Sequence, residues 1–195
     1  KKGGTYVVAG GTGTVGQILC QYLMDHYQAN VVVVSRGQAV TQFARPSRGA
    51  PYFIKADMTN SHYVKEVIFK ANCRFGRVNG FFFLASDHFE KSFKKCTEED
   101  LYKALRSKVN GTTAVLQTLA DSSLDFLCFF SSAQVAFPAG QRSLYALSCG
   151  LQNQIVHQTA KSIHFPVKVI NWGFWTHLND EKDAVLEQIG ITPIT

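Results

Sequence analysis

The segment "TYVVAGGTGTVGQILCQYL" constrains the fold of this chain more than any other. Residues 5–10 are apolar and β-prone, which reads as a buried strand. Residues 15–27 follow with Val15, Ile18, Leu19, Tyr22 and Leu23 at helical spacing. Between them, Gly10, Gly13 and Gly16 fall at the strand-to-helix turn. Glycines there permit a tight turn and bring backbone close to a pyrophosphate, whose charge suits the N-terminus of the helix. Glycines at such a turn can also serve packing alone. The strand before and the helix after supply the context that a nucleotide-binding turn requires.

The rest of the chain repeats this alternation. Residues 31–35, 52–57, 80–86, 125–132 and 167–172 read as strands. Residues 62–73 and 143–160 read as helices, as does a segment starting at Thr97, where Asp100 is spaced to complete a capping box. That last helix carries Leu101, Leu105, Val109 and, past Gly111, Val115, Leu116 and Leu119. Solidly apolar strands alternating with helices predict an α/β fold, a doubly wound parallel sheet (Rossmann fold) with helices on both faces. With 195 residues, 46% of them hydrophobic, the chain reads as a single folded domain over 1–195.

Charge and cysteine content narrow the function. The net charge is +6, but the basic residues are scattered apart from "KSFKK", and no nucleic-acid-binding motif accompanies them. A phosphorylated cofactor or an acidic protein partner would use the same charge. No apolar run reaches membrane-spanning length, and the N-terminal residues turn straight into the glycine loop, so no membrane role and no signal peptide are expected. Five cysteines, an odd number without metal-ligand spacing, read as reduced core thiols of a cytoplasmic protein. The six histidines show no pair at metal spacing, so no metal is expected.

Two places carry candidate chemistry. The second strand ends in Ser35 and Arg36, where an NAD site carries an acid for the ribose 2′-hydroxyl. Arginine there suits a 2′-phosphate, and so NADP; a solvated surface arginine is the alternative. Asp57, ending the third strand, is placed either to accept from an adenine amine or to close a turn. The fifth strand delivers Ser131 and Ser132 to its C-terminal end, where open sheets of this type bind ligands. Tyr145 follows Ser132 by thirteen positions (145 − 132), just inside the next helix. A tyrosine that protonates an alkoxide near neutral pH needs a cation nearby. One helical turn later the chain has Cys149, which cannot supply that charge.

These residues resemble the ketoreductase domains of modular polyketide synthases and related hybrid megasynthases, members of the short-chain dehydrogenase/reductase superfamily. The resemblance spans essentially the whole chain. It rests on "GGTGTVG", on "SR" ending the second strand, on "SKVNGT", "FFSSAQ" and "INWGFW", all in family order. It implies that the active-site lysine comes from the preceding long helix, as Lys108, and joins Ser132 and Tyr145 as the catalytic group. It also implies an NADPH site formed by Gly10, Gly11, Thr12, Gly13, Thr14, Val15, Gly16, Ser35, Arg36, Asp57, Met58, Ala85 and Ser86, with Lys108 and Tyr145 at its nicotinamide end. The implied substrate is a keto-acyl thioester tethered through phosphopantetheine to an acyl carrier protein. The implied neighbours are other synthase domains, among them a structural subdomain, so that the chain reads as a fragment of a larger multidomain protein.

The sequence departs from the family pattern in three respects. Cys149 stands where the family has Asn, and Ser86 stands for a Gly beside the nicotinamide. Phe137 and "HFE" (residues 88–90) blur the stereochemical fingerprints. The chain also stops before an expected last strand and helix. An active reductase and a degenerate domain kept as a scaffold therefore both remain open, with a freestanding reductase of small carbonyl compounds a weaker third. Outside the resemblance each residue has an ordinary reading: Tyr145 as a packing residue, Lys108 as a solvated charge, Ser132 as a turn residue. Cys149 reads as a core thiol. Trp172, Phe174 and Trp175 read equally as cleft lining or as core. If Arg36 holds a 2′-phosphate, Arg36→Ala weakens NADPH binding by about 1.5–3 kcal/mol, the value of a charge-assisted hydrogen bond, and leaves NADH nearly unaffected. Equilibrium titration of both nucleotides checks this, and equal wild-type affinity for the two would contradict it.

Overall fold

The computed structural model describes residues 1–38, 50–87, 91, 93–136 and 143–173. Six strands form one parallel sheet: β1 (Thr5–Ala9), β2 (Asn30–Ser35), β3 (Tyr52–Lys55), β4 (Val78–Phe83), β5 (Phe126–Ser132) and β6 (Val167–Trp172). Their order is β3-β2-β1-β4-β5-β6. The helices are α1 (Thr14–Tyr27), α2 (Ser61–Phe75), α3 (Glu98–Leu105), α4 (Thr112–Leu119) and α5 (Ser143–Thr159). A π-helical segment, Arg106–Gly111, joins α3 to α4. No described helix is long and apolar enough to cross a membrane.

The period-2 geometry of the strands divides the core into two layers. Val7, Ala9, Val32, Val34, Phe81, Phe83, Leu127 and Phe129 point to one face and pack with Val64 and Val67 of α2, Val115, Leu116 and Leu119 of α4, and Val156 of α5. Tyr6, Val8, Val31 and Val33 point to the other and meet Cys20, Leu23 and Met24 of α1. Helices thus cover both faces, and the doubly wound architecture expected from the alternation is the one observed. The Thr97–Asp100 capping box forms as the spacing predicts, each residue bonding the other's backbone N–H at 2.9–3.3 Å.

Three expectations need correction. The buried face of α1 is Gly16, Cys20, Leu23 and Met24, whereas Ile18 and Tyr22 are each 50% exposed. The glycine turn sets this rotation, because Gly16 lies against Gly10 and Gly11 and carries its own i+4, i+7 and i+8 neighbours inward. The helix starting at Thr97 is not continuous α-helix but is widened at Arg106–Gly111. The cysteines are not uniformly core thiols: Cys20, Cys128 and Cys149 are buried, Cys96 is half-buried and Cys73 is exposed.

Strand order reverses between β1 and β4, and the loops leaving these two strands meet there. Gly10 adopts φ +87°, and a Cβ on it would lie 2.8 Å from the Ala85 nitrogen. A Cβ on Gly16 would lie 2.5 Å from the Gly10 oxygen, while one on Gly13 meets nothing nearer than 3.5 Å. The two positions therefore respond differently to the same change. Gly16→Ala loses about 1–3 kcal/mol or more of stability by overpacking against backbone. Gly13→Ala stays within about 1 kcal/mol of wild type. Urea denaturation of the two variants measures both, and equal losses would contradict the packing described.

Candidate active site

The crevice at the strand-order reversal is built from four loop ends. On one side lies the N-terminus of α1, preceded by Gly13, whose extended backbone provides no side-chain cap and which is followed by no acidic residue in the first turn. Gly13 and Thr14 are exposed, Thr12 and Val15 half-buried, and Gly11 and Gly16 buried. The uncapped backbone N–H groups and the helix dipole leave a positive end open to an anion. The loop is braced from behind: Gln17 Nε2 donates to the Thr12 carbonyl at 2.8 Å, and the Thr12 hydroxyl donates to Ser35 Oγ at 3.0 Å. These features fit the pyrophosphate of a dinucleotide.

Beyond Ser35 the crevice is crossed by ion pairs. Ser35 Oγ accepts from the Gly37 N–H at 3.1 Å, and the exposed Arg36 pairs with Asp87, just after β4. The second carboxylate oxygen of Asp87 accepts from the Ser107 hydroxyl at 2.6 Å. Asp57 closes a turn and reaches Arg106: Oδ1 accepts from the Thr59 N–H at 3.0 Å and from its hydroxyl at 2.9 Å, and Oδ2 pairs with Arg106 at 2.5 Å. Burial raises the Asp57 pKa, but the Thr59 hydrogen bonds and the charges of Arg106 and Arg36 outweigh it and hold the carboxyl below its ordinary value. Met58 is buried under this end, and Ala85 and Ser86 line the exit of β4 half-buried.

At the other end β5, the π segment and α5 pack together. Lys108 belongs to the π segment, which places its side chain inward, and it is only 3% exposed. Its Nζ donates to the carbonyl of Phe130, two residues before Ser132. Burial pulls its pKa down to about 8, and nearby Cys149 acts in the opposite direction. Ser131 Oγ donates to the Cys149 carbonyl at 3.4 Å, tying β5 to α5 one turn beyond Tyr145. Ser132 is buried and its Oγ accepts from the Gln134 N–H at 3.2 Å. Tyr145 is half-buried in the first turn of α5. Gly111 lets this segment sit close to the sheet, since a Cβ there would lie 2.7 Å from the Phe83 ring.

The structure thus brings the elements bearing Lys108, Ser132 and Tyr145 to one end of the sheet, and those bearing the glycine loop, Ser35, Arg36, Asp57 and Met58 to the adjoining crevice. Lys108 is not a solvated helix charge. Asp87, Arg106 and Ser107 join the site without having been singled out in the sequence. Trp172, on β6 in register with Ser132, packs on Phe130 with ring centroids 5.1 Å apart. Phe137, residues 88–90, Phe174 and Trp175 lie outside the described residues. Among the described residues no group of His, Cys, Asp or Glu is gathered to hold a metal.

Comparison with known proteins gives the family of the chain and relatives of its fold. The KR domain family model matches residues 4–177. Polyketide synthase PksM of Bacillus subtilis is 30% identical over 201 residues, covering 98% of this chain and 5% of that protein. Polyketide synthase ThaG of Burkholderia thailandensis is 33% identical over 184 residues, covering 91% of this chain and 3% of that protein. Among solved structures, an N-terminal ketoreductase from the macrolactin assembly line superposes with a TM-score of 0.84 at 26% identity, covering 99% of this chain and 40% of that one. A short-chain dehydrogenase/reductase from Serratia marcescens shares the fold, with a TM-score of 0.83 at 18% identity over 98% of this chain and 85% of that one. The chain belongs to the KR domain family, the ketoreductases of polyketide synthases.

Burial of Lys108 has a measurable linkage. Its folded pKa of about 8 lies below the ordinary lysine value of 10.5, so between these values the unfolded chain binds more protons. The folding cost of burying the ammonium is full below pH 8 and is relieved as pH rises through the window. The stability of the wild type relative to Lys108→Met therefore increases by on the order of 2–3 kcal/mol from pH 8 to 10.5. Parallel urea titrations at several pH values check this. A pH-independent difference would contradict it.

Proposed function

We propose that this chain is the catalytic unit, over residues 1–195, of an NADPH-dependent ketoreductase. It reduces the keto group of a carrier-protein-bound keto-acyl thioester to a hydroxyl within a cytoplasmic multidomain synthase. The observation that carries this reading is Lys108, buried in a π segment and hydrogen-bonded to the carbonyl of Phe130 in the strand that ends in Ser132. A buried ammonium is costly to keep, and this one lies among elements that also carry a hydroxyl and a phenol. The relatives support the setting, because the chain spans only 3–5% of the synthases it matches first.

The residues divide the work as follows. The glycine loop and the N-terminus of α1 hold the pyrophosphate, Arg36 the 2′-phosphate and Asp57 the adenine. The bound cofactor supplies a hydride to the carbonyl carbon. Ser132 and Tyr145 donate hydrogen bonds to the carbonyl oxygen, and Tyr145 gives up its phenolic proton as charge develops there. Lys108, cationic below about pH 8, favours the phenolate left behind and holds the ribose next to the nicotinamide. Cys149 takes a place beside Lys108 where related domains carry Asn, and this favours the non-reducing scaffold as the second reading.

The test is incubation with NADPH and a β-keto thioester, free and carrier-bound, with chiral analysis of the product. Tyr145→Phe lowers turnover by roughly 100- to 10,000-fold, the usual contribution of a positioned general acid, while NADPH still binds. Lys108→Ala lowers both turnover and NADPH affinity. The double variant is scarcely worse than Tyr145→Phe, since the two residues act as a unit. A wild-type chain that binds NADPH and reduces neither α- nor β-keto thioesters establishes the scaffold reading instead.

A further inference from the structure

Arg36 is engaged by one of the ion pairs across the crevice. Arg36 is the residue suited to a 2′-phosphate, and its guanidinium Nη2 is engaged by Asp87 Oδ1. Asp87 comes from a different strand end, 51 residues away in sequence. Its other oxygen is fixed at 2.6 Å by the hydroxyl of Ser107, which is buried and adjoins Lys108 in the π segment. The carboxylate is thus anchored on one side and presented to Arg36 on the other. A carboxylate and a phosphate compete for the same donors of an arginine fork. The pair is partly open to solvent, with side-chain exposures of 43% for Arg36 and 23% for Asp87, so exchange of one anion for the other requires no unpacking of the core.

We infer that Asp87 is a specificity-determining residue that takes up a donor and part of the charge of Arg36 and so weakens its hold on the 2′-phosphate of NADPH. The inference rests on the NADPH reading given above. Because Ser107 retains Asp87, the carboxylate stays near the incoming phosphate and opposes it by like-charge repulsion. NADH, with a hydroxyl at the 2′ position, does not draw on Arg36 and is indifferent to the exchange. Asp87 therefore reduces the discrimination between the two cofactors below what Arg36 alone would give. It acts at the adenosine end and takes no part in proton transfer to the substrate.

The experiment is a double-variant cycle read by equilibrium binding of NADPH, NADH and 2′,5′-ADP to the full chain. The variants are wild type, Asp87→Asn, Arg36→Ala and both together. Asp87→Asn preserves side-chain shape and an acceptor for Ser107 but removes the charge. Partly exposed ion pairs contribute up to about 1 kcal/mol, equivalent to roughly fivefold in affinity. Asp87→Asn is therefore expected to tighten NADPH and 2′,5′-ADP by about two- to fivefold and to leave NADH within about twofold. In the Arg36→Ala background the same change has little effect on any of the three. If wild type binds NADH as well as NADPH, or Arg36→Ala spares NADPH, the cofactor reading itself is wrong and the inference falls with it. If those controls hold but Asp87→Asn weakens NADPH, Asp87 positions Arg36 instead of competing for it, and the inference alone is overturned. Equal tightening of NADPH and NADH, or equal tightening with and without Arg36, also overturns it, since that is a general charge effect.

Discussion

The site depends on keeping a lysine ammonium inside the protein. Lys108 is almost wholly removed from water, and isolated burial of such a charge is among the costlier acts a fold performs. Three local features make it tolerable. The widened helical turn at Arg106–Gly111 brings the residue inward. Gly111 allows that turn to approach the Phe83 ring. The carbonyl of Phe130, near the buried C-terminal end of β5, accepts from Nζ. Each of these positions also fixes something else: the carbonyl belongs to the strand that ends in Ser132, and the turn packs against the helix that carries Tyr145. Satisfying the charge and assembling the three residues are thus one structural problem.

The architecture was legible because parallel strands buried on both faces write themselves as apolar runs. "VVVV" and "FFF" could hardly form anything else at their lengths. The rotation of α1 was less legible. Apolar periodicity pointed to Ile18 and Tyr22, but the close approach of Gly16 to the glycine loop turned them outward, and a glycine registers weakly in any hydrophobic pattern. The displaced lysine was legible only through resemblance. No local pattern distinguishes Lys108 from a solvated helix lysine, because the π turn that buries it has no signature in residue type.

Asp87, Ser107 and Arg106 were not legible at all. Each is a polar residue of ordinary type in a loop or at a helix turn, and their meeting depends on the strand order, which sets β4 across β1 from β2 and lets Asp87, after β4, reach both Arg36 and the π segment. A cue existed in hindsight: Ser107 adjoins the lysine of "SKVNG", so residues that pair with this segment border the site. Their arrangement pairs two arginines with two carboxylates beyond the ends of β2 and β3, a balance that composition alone, with its net +6, does not reveal.

Lys108 is a buried cation and not a surface charge. Its titration can be followed directly, by NMR of lysines labelled at the side-chain ε position, with the resonance assigned by its loss in Lys108→Met. A midpoint near pH 8 is the expected result, set apart from the remaining lysines of the chain. A midpoint at the ordinary lysine value, about 10.4, would place the amine in water and contradict the site as described.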